Sequence, residues 1–387
     1  MKQFRAVVVG TGFIGPVHVE GLRRAGVDVA GIVGTTPAKS QQAAERLGLA
    51  TGYASLEAVL KDATIDVVHL ATPNQLHFSQ AKAVLASGKH VLCEKPLAMN
   101  SRESAELVRM ASDSGLAAAV AYNIRFYPLC TEAATQVQQG SVGDIYHVHG
   151  SYVQDWLSQA SDFNWRVLAE SGGQLRAVAD IGTHWLDLIQ FICGQPVVAV
   201  CADLRTVFQE RMRPSGPSET FSEREPNGAV RTAVPISTED CGTIMLRFAN
   251  GANGCLWVSQ VTSGRKNCLR FEIAGSQRSL AWNSEQPNEL WIGHRQQANQ
   301  TLLRDPALLG NSAKAITSYP GGHNEGFADT FKQLFRVFYE SIATGQVTAP
   351  LPYPTFADGH REILLCEAVL RSHQECGWVE LPPGHGN

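Results

Sequence analysis

Two short segments carry ionisable side chains at spacings that suit proton transfer. In residues 90–100, HVLCEKPLAMN, Glu94 and Lys95 stand between an apolar run and Pro96. A desolvated ammonium can hydrogen-bond a hydroxyl or carbonyl oxygen and share its proton. Asp180 and His184 lie four residues apart at the start of a predicted helix, so both project from one face. Because imidazole titrates near neutral pH, we expect His184 to act as general base. Asp180 would bind a substrate hydroxyl and tune its neighbours electrostatically.

A glycine-rich segment, GTGFIG at residues 10–15, follows the first predicted strand and opens the first predicted helix. In this order the glycines allow a tight turn, a close backbone approach to a pyrophosphate and close helix–strand packing. The helix N-terminus then offers unpaired N–H groups to the phosphates. A purely structural glycine turn is the alternative, but strand, motif and helix stand in the order that dinucleotide binding requires. The predicted contacts are Gly10, Gly12, Phe13, Ile14 and Gly15.

The end of the second predicted strand departs from the usual dinucleotide pattern. An acidic residue is expected there to hold the ribose hydroxyls, whereas residues 34–39 read GTTPAK. Without the carboxylate there is less repulsion against a 2′-phosphate, which Thr35, Thr36 and Lys39 could bind. The segment therefore favours NADP or the use of both NAD and NADP. Alternatively, Lys39 is a solvated lysine on the following helix.

These groups must be positioned by a chain of 387 residues, a length at which two domains are usual. In the first third, near-continuous apolar strands alternate with helices, which predicts a parallel sheet buried on both faces, a doubly wound α/β domain over 1–124. Strands 65–72 and 89–94 would deliver Lys95 to the carboxyl edge of this sheet, where ligands bind in such folds. Residues 125–387 are richer in strands with period-two alternation, which predicts an α/β domain with a mostly antiparallel open sheet. A Pro-, Ser- and charge-rich excursion spans 209–239.

Composition excludes several classes of protein. A net charge of −4 gives no electrostatic reason to expect nucleic acid or an anionic membrane as partner. There is no apolar run of roughly 18 residues and no cleavable leader pattern, so we expect neither a transmembrane helix nor a secretory signal. Nine cysteines are scattered without CxxC spacing, which argues against a zinc site or a disulfide framework. A cytoplasmic protein without a metal is the prediction.

Five segments in order, GTGFIG, IDVVHLATPNQLHF, GKHVLCEKPLAMN, AYNIRFYP and ADIGTHWLDL, resemble the glucose–fructose oxidoreductase and inositol dehydrogenase (Gfo/Idh/MocA) family. The resemblance implies hydride exchange between a nicotinamide cofactor and a hydroxyl-bearing carbon, usually of a sugar or cyclitol. It also implies that Lys95 works with Asp180 and His184, that the Lys95–Pro96 bond is cis, and that the C-terminal sheet forms subunit interfaces. The residues that it places beside the cofactor are Thr72, Pro73, Asn74, His77, Glu94, Lys95 and Asn123.

Further residues are candidates for the substrate pocket. Arg125 matches a position that lines the cleft in the family, although it could equally pair structurally. Trp156, Trp165 and Arg166 would suit a carbohydrate, because aromatic faces pack on sugar C–H surfaces; tryptophans are as often core or interface residues. His323 follows a glycine pair at a helix start and is the last candidate. Lys95, Asp180 and His184 complete the predicted substrate set.

The sequence therefore predicts an NAD(P)-dependent dehydrogenase or reductase that acts on a secondary alcohol of a sugar, glycoside, anhydrosugar or cyclitol. A second enzymatic possibility is a sugar oxidoreductase with a tightly bound, internally recycled cofactor. A non-catalytic nucleotide-sensing regulator is the alternative from another class, but that function does not require the lysine and histidine that this chain retains. The expected assembly is a homodimer or homotetramer through the C-terminal sheet.

Overall fold

The computed structural model describes residues 3–215, 231–346 and 350–382. The N-terminal part alternates strands and helices, as the apolar pattern predicts. Its strands are β1 (Arg5–Val9), β2 (Asp28–Val33), β3 (Thr51–Tyr53), β4 (Val67–Leu70), β5 (His90–Cys93) and β6 (Ala118–Val120). Its helices are α1 (Ile14–Arg24), α2 (Pro37–Leu47), α3 (Leu56–Lys61), α4 (Asn74–Ala86) and α5 (Ser101–Ser114).

In the described residues these six strands form one parallel sheet in the order β3-β2-β1-β4-β5-β6. All four residues of β4 are buried, which is expected when helices cover both faces of a parallel sheet. Local signals fix the helix ends: the Thr36 and Asn100 side chains cap α2 and α5, and Gly48 ends α2 in the left-handed conformation. The predicted doubly wound sheet is confirmed.

The remaining elements build the second part. Its strands are β7 (Ile145–Val153), β8 (Val197–Arg205), β9 (Glu210–Pro214), β10 (Arg231–Pro235), β11 (Cys241–Phe248), β12 (Asn253–Ser259), β13 (Cys268–Gly275), β14 (Ser279–Asn283), β15 (Glu289–Gly293), β16 (Gln300–Leu303) and β17 (Val379–Glu380). Its helices are α6 (Pro128–Gln138), α7 (Ala169–Gly172), α8 (Thr183–Cys193), α9 (Asn311–Ala315), α10 (Phe327–Thr344) and α11 (Phe356–Glu375).

Within the described residues a nine-stranded sheet runs β16-β15-β14-β13-β7-β12-β11-β8-β17. Its strands pair antiparallel except for β7 and β12, which pair parallel. The predicted mostly antiparallel open sheet is therefore confirmed. Strands β7 and β12 consequently end side by side, at Val153 and Ser259. Helix α8 packs on the inner face of this sheet, with Trp185, Leu188 and other apolar residues in the main core.

The C-terminal helices return to the N-terminal sheet. Phe331, Phe335 and Phe338 of α10 are buried in the same core as Val8 and other residues of the parallel sheet. The segment that precedes α11 also reaches this sheet, where Val120 N–H donates to the Pro354 carbonyl at 2.9 Å. A boundary at residue 124 stays a prediction, and α10 supplies part of the core of the N-terminal part.

The predicted excursion over 209–239 contains two strands, β9 and β10, which pair antiparallel. Its middle, residues 216–230, lies outside the described residues. All nine cysteines are free. Across the ranges that the structure describes, none of the helices combines the length and apolar character needed to cross a membrane.

Candidate active site

Lys95 leaves the carboxyl edge of the parallel sheet immediately after β5 and meets Asp180. Its Nζ lies 2.6 Å from the Asp180 backbone oxygen and 2.9 Å from Asp180 Oδ1. Both side chains are mostly buried, with 12% and 18% of their surfaces exposed. The Lys95–Pro96 peptide bond is cis, as the family resemblance implies. A lysine from one sheet and an aspartate from the other part of the chain thus form one charged pair.

Asp180 lies in a single π-helical turn, Val178–Gly182, which leads directly into α8. Its Oδ2 accepts a hydrogen bond from Gln260 Nε2 at 2.8 Å, and Arg166 Nε lies 3.5 Å from its Oδ1. Burial alone would raise the pKa of the carboxyl, but the charges of Lys95 and Arg166 outweigh it and hold the pKa well below its usual value. Asp180 is therefore ionised at any working pH.

His184, at the second position of α8, is buried beside this pair. Its ring meets Tyr122 edge-on at 5.6 Å between centroids and lies 6.2 Å from Tyr152. Burial and the positive charge of Lys95 lower its pKa to about 3. The expectation that His184 titrates near working pH is therefore wrong for this environment. The imidazole is neutral above mild acidity, so it can accept a proton, and its Nδ1 has no hydrogen-bond partner in the described ranges.

Two residues that support Asp180 were not predicted from the sequence. Gln260 is fully buried and donates a hydrogen bond to Asp180. The sequence signal for it is weak: Leu256, Val258 and Gln260 are alternate residues that point to the buried face of the sheet, and Gln260 lies just beyond the end of β12. Glu239 accepts hydrogen bonds from the Arg176 and Val178 backbone N–H groups, just before Asp180. No local pattern predicts this contact, because Glu239 lies 61 residues beyond Val178.

The glycine-rich loop between β1 and α1 has the shape that a dinucleotide needs. A Cβ on Gly10, which has φ +124°, would lie 2.1 Å from the Ala71 oxygen, and a Cβ on Gly15 would lie 2.1 Å from the Gly10 oxygen. These glycines are therefore needed for packing. At Gly12 a Cβ would meet no atom within 4 Å, so the loop leaves open space at the start of α1. That space at the N-terminal end of α1 fits a pyrophosphate.

Comparison with known proteins agrees with this geometry. Residues 4–122 match the model of an oxidoreductase family with an NAD-binding Rossmann fold, and residues 130–281 match the GFO/IDH/MocA C-terminal domain. The chain belongs to the GFO/IDH/MocA oxidoreductase family. Levoglucosan dehydrogenase of Pseudarthrobacter phenanthrenivorans is 31% identical over 358 residues, 91% of this chain and 89% of that protein. D-xylose 1-dehydrogenase (NADP(+)) 2 of Haloferax volcanii is 30% identical over 51% of this chain and 60% of its own length.

Solved structures extend the similarity to the whole fold. A levoglucosan dehydrogenase in complex with NADH and L-sorbose superposes with a TM-score of 0.88 at 29% identity, covering 99% of this chain and 100% of that one. An oxidoreductase domain protein from Kribbella flavida has a TM-score of 0.88 at 28% identity over the same shares. As a member of this NAD-binding oxidoreductase family, the chain uses NAD or NADP.

The other predicted cofactor residues of this family member lie around the sheet edge. Phe13 is 52% exposed beside the glycine loop, and Ile14 begins α1 half-buried. Thr36 Oγ1 caps α2 by accepting from Lys39 N at 3.2 Å, while Thr35 and the Lys39 side chain are exposed. This leaves the Lys39 ammonium available beside the start of α2.

The loop after β4 is held mainly by structural contacts. Thr72 Oγ1 donates to Gln80 Oε1 at 2.7 Å, and Asn74 Nδ2 donates to the Gly172 oxygen at 2.9 Å. Pro73 precedes α4 as its N-cap. His77 is fully buried, with Nδ1 2.7 Å from the Pro96 oxygen and Nε2 2.8 Å from the Thr72 oxygen. Burial lowers its pKa, so His77 links this loop to the Lys95–Pro96 turn.

Three predicted residues form hydrogen bonds with other side chains. Asn123 Nδ2 donates to Thr330 Oγ1 at 2.7 Å and so joins the sheet edge to α10. Arg125 Nε donates to Asp187 Oδ2 at 2.8 Å, and its Nη2 donates to Asp358 Oδ1 at 2.9 Å. The structure thus gives Arg125 the structural pairing that the sequence left open. Glu94 is buried and hydrogen-bonded to His18 at 3.1 Å.

The remaining predicted substrate residues differ in the contacts that they make. The Arg166 guanidinium stacks on the Trp165 ring at 4.5 Å from its centroid, and its Nε lies 3.5 Å from Asp180 Oδ1. Trp156 packs on the small apolar cluster of Leu157, Val167 and Ile236. His323 is exposed, and in the described part of the chain no contact joins it to Lys95, Asp180 or His184.

Proposed function

We propose that this protein is an NAD(P)-dependent dehydrogenase or reductase that acts on a secondary alcohol or ketone carbon of a sugar, glycoside, anhydrosugar or cyclitol. The supporting observation is the Lys95–Asp180 pair, 2.9 Å apart, beside a neutral His184 at the carboxyl edge of a dinucleotide-binding sheet. An ammonium and a neutral imidazole together can polarise an alcohol oxygen and accept its proton. The similarity to levoglucosan dehydrogenase favours this substrate class.

In the proposed reaction the substrate hydroxyl lies between Lys95 and His184. Lys95 Nζ donates a hydrogen bond to the oxygen, His184 accepts the hydroxyl proton, and the carbon becomes a carbonyl as its C–H bond breaks. The bound nicotinamide would take up the hydride. Asp180 fixes Lys95 Nζ and, with Arg166, offers hydrogen bonds to neighbouring hydroxyls. Reduction reverses these steps, with the proton returning from His184 to the oxygen.

The direct test follows the absorbance of reduced nicotinamide while the protein meets levoglucosan, 1,5-anhydrosugars, aldoses such as D-xylose, glycosides and inositols, each with NAD and with NADP. A substrate-dependent rise supports the proposal and reveals the substrate. If the absorbance changes with none of these compounds, in either direction and with either cofactor, the proposal is contradicted. Protein released by denaturation should then be checked for a tightly held cofactor, as expected of an internally recycling enzyme.

The cofactor preference depends on the start of α2. Reversing the charge in Lys39→Glu is expected to lower kcat/KM with NADP by about tenfold or more and to leave NAD nearly unchanged, since the exposed ammonium would otherwise pair with the 2′-phosphate. Steady-state kinetics with both cofactors measure this. Arg46→Glu is the matched control, because it makes the same charge change at an exposed position of the same helix. Equal losses with both cofactors would refute the role of Lys39.

The outward face of the nine-stranded sheet supports the proposed homo-oligomer. Met245, Trp257, Trp291 and Leu303 lie on this face with 37–55% of their surfaces exposed. The side chains that alternate with them along the same strands, such as Leu256 and Leu290, point to the other face and are buried. Exposed apolar side chains on one face of a sheet favour an interaction surface, and a second copy of the chain would cover them. A cytoplasmic location stays a prediction.

Trp257→Asp is expected to lower the native mass to that of a smaller assembly or a monomer, because a carboxylate would be buried without a partner. Light scattering after size-exclusion chromatography measures the mass. Leu308→Asp is the control, since Leu308 is 61% exposed outside the sheet. A wild-type protein that is monomeric at all concentrations would exclude the interface.

A further inference from the structure

A buried chain of four hydrogen-bonded side chains starts beside the catalytic lysine and crosses the core. Glu94 Oε1 lies 3.1 Å from His18 Nε2, His18 Nδ1 lies 3.1 Å from His69 Nδ1, and His69 Nε2 lies 3.1 Å from the Tyr339 hydroxyl. The four side chains come from the end of β5, α1, β4 and α10. We call them the Glu94–Tyr339 chain.

The chain lies in an otherwise apolar environment. His18 and His69 are fully buried, and Tyr339 is 6% exposed. Phe335 packs on both imidazoles, with centroids 5.0 Å from His18 and 4.8 Å from His69. Polar groups in such a core are costly unless each is hydrogen-bonded. Four polar side chains linked one to the next by hydrogen bonds, with a carboxylate at one end, indicate a role beyond packing.

The geometry allows only certain proton placements. With Glu94 ionised, His18 Nε2 must carry a proton in order to donate to it. One of the two facing Nδ1 atoms must be protonated and the other not, because two donors or two acceptors would repel each other. If His69 Nδ1 donates, His69 Nε2 accepts from the Tyr339 hydroxyl. If His18 Nδ1 donates, His69 Nε2–H donates to the Tyr339 oxygen. In both placements His18 donates to Glu94.

Glu94 connects this chain to the proposed proton-transfer groups. Its Oε2 accepts a hydrogen bond from the Lys95 backbone N–H at 3.2 Å, so two donors hold its two oxygens. Burial raises the pKa of Glu94, but the His18 hydrogen bond and the nearby positive charges lower it further than burial raises it. The ionised carboxylate in turn raises the pKa of His184 against the effects of burial and Lys95. The titratable groups that face Glu94 are His18, His77, Cys93, Lys95 and His184.

We propose that His18, His69 and Tyr339 are positioning residues that keep Glu94 ionised and oriented beside Lys95, so that Lys95 is held in place and the basicity of His184 is maintained. This inference rests on the proposed function. Tyr339, on α10 and 270 residues from His69, fixes the far end of the chain. It therefore influences the site without touching substrate or cofactor.

The test is the pH profile of kcat for alcohol oxidation. His18→Leu removes the donor to Glu94, so the pKa of Glu94 rises. Because the proposal requires an ionised Glu94 for activity, kcat should then fall at a higher pH, and the acid limb should move up by about one to two pH units. His18→Gln keeps an amide donor near the position of Nε2 and should restore the limb to within about half a unit of wild type. A uniform loss of kcat in both variants with an unmoved limb would mean a packing role and would overturn the proposal.

Tyr339→Phe probes the far end with the least risk to folding, because it removes only a hydroxyl. His69 is then free to adopt either tautomer, so the acid limb should move upward by less than in His18→Leu. Phe338→Leu, in the same helix and core, is the packing control and should leave the limb in place. A shift in the control but not in Tyr339→Phe would overturn the role of the chain.

A measurement without turnover separates this inference from the proposed substrate chemistry. Nitrogen-15 spectra of histidine-labelled protein, assigned with the His18→Gln and Tyr339→Phe variants, report which ring nitrogens carry protons. A protonated His18 Nε2 and one protonated atom in the Nδ1 pair support the chain even if no sugar is oxidised. An unprotonated His18 Nε2, or equal protonation of both Nδ1 atoms, would overturn it even in an active enzyme.

Discussion

Replacing Lys95 with alanine is expected to lower kcat by at least about 10³-fold while the protein still binds a reduced nicotinamide dinucleotide. The ammonium contacts Asp180 through two hydrogen bonds, at 2.6 and 2.9 Å, and it would also contact the reacting oxygen. Without it, neither the developing alkoxide nor Asp180 has its main positive partner. Steady-state kinetics and a fluorescence titration with NADH and NADPH measure the two effects separately.

Lys82→Ala is the matched control for this prediction. Lys82 Nζ also bonds a carboxylate, Glu106, at 2.6 Å, but its side chain is 49% exposed on α4, where an ion pair contributes little. The control should retain wild-type kcat. Near-wild-type turnover in Lys95→Ala would exclude the proposed mechanism, whereas loss of dinucleotide binding together with kcat would show that Lys95 acts on cofactor binding.

His184→Asn is expected to lower kcat for alcohol oxidation by roughly 10²- to 10⁴-fold, which is the usual contribution of a general base. It should also change how unfolding depends on pH. The folded-state pKa of about 3 lies below the ordinary value of 6.5, so the unfolded chain binds more protons between these pH values. The free energy of unfolding therefore falls on acidification through this window, and less steeply in the variant.

Thermal unfolding of both proteins at several pH values between about 4 and 7 measures this second effect. His294→Asn is the control, because His294 is only half-buried beyond β15 and bonds Gln300 rather than the site. It should retain both activity and the wild-type pH dependence. If His184→Asn keeps its activity, Lys95 itself accepts the proton. If its stability follows the wild-type pH dependence, the imidazole is not held neutral by folding.

The two predictions are connected because the charge of Lys95 affects the pKa of His184. Lys95 lowers the pKa of His184, and Glu94 raises it. In Lys95→Ala the imidazole should consequently become more basic, although its partner in polarising the oxygen is lost. The stability profile of Lys95→Ala should show this as a folded-state pKa of His184 closer to 6.5.

Local patterns in the sequence determined the elements and several site positions. The parallel strands were predictable because runs such as β4 are mostly apolar, and the second sheet because residues such as Leu246, Arg247 and Phe248 alternate between apolar and polar. The dinucleotide loop could be read from three glycines, and the position of Lys95 from the end of β5. All of these depend on side-chain periodicity and backbone preferences within a few residues.

Only the tertiary structure decided which groups meet and how they ionise. Lys95 bonds Asp180, which lies 85 residues further along the sequence, and Gln260 bonds the same carboxylate from the end of β12. Arg125 pairs with Asp187 and Asp358, and His18 and His69 join Glu94 to Tyr339. No periodicity specifies such partners, because they result from the packing of two sheets and the return of α10. The pKa of His184 follows for the same reason, since burial is a property of packing and not of residue type.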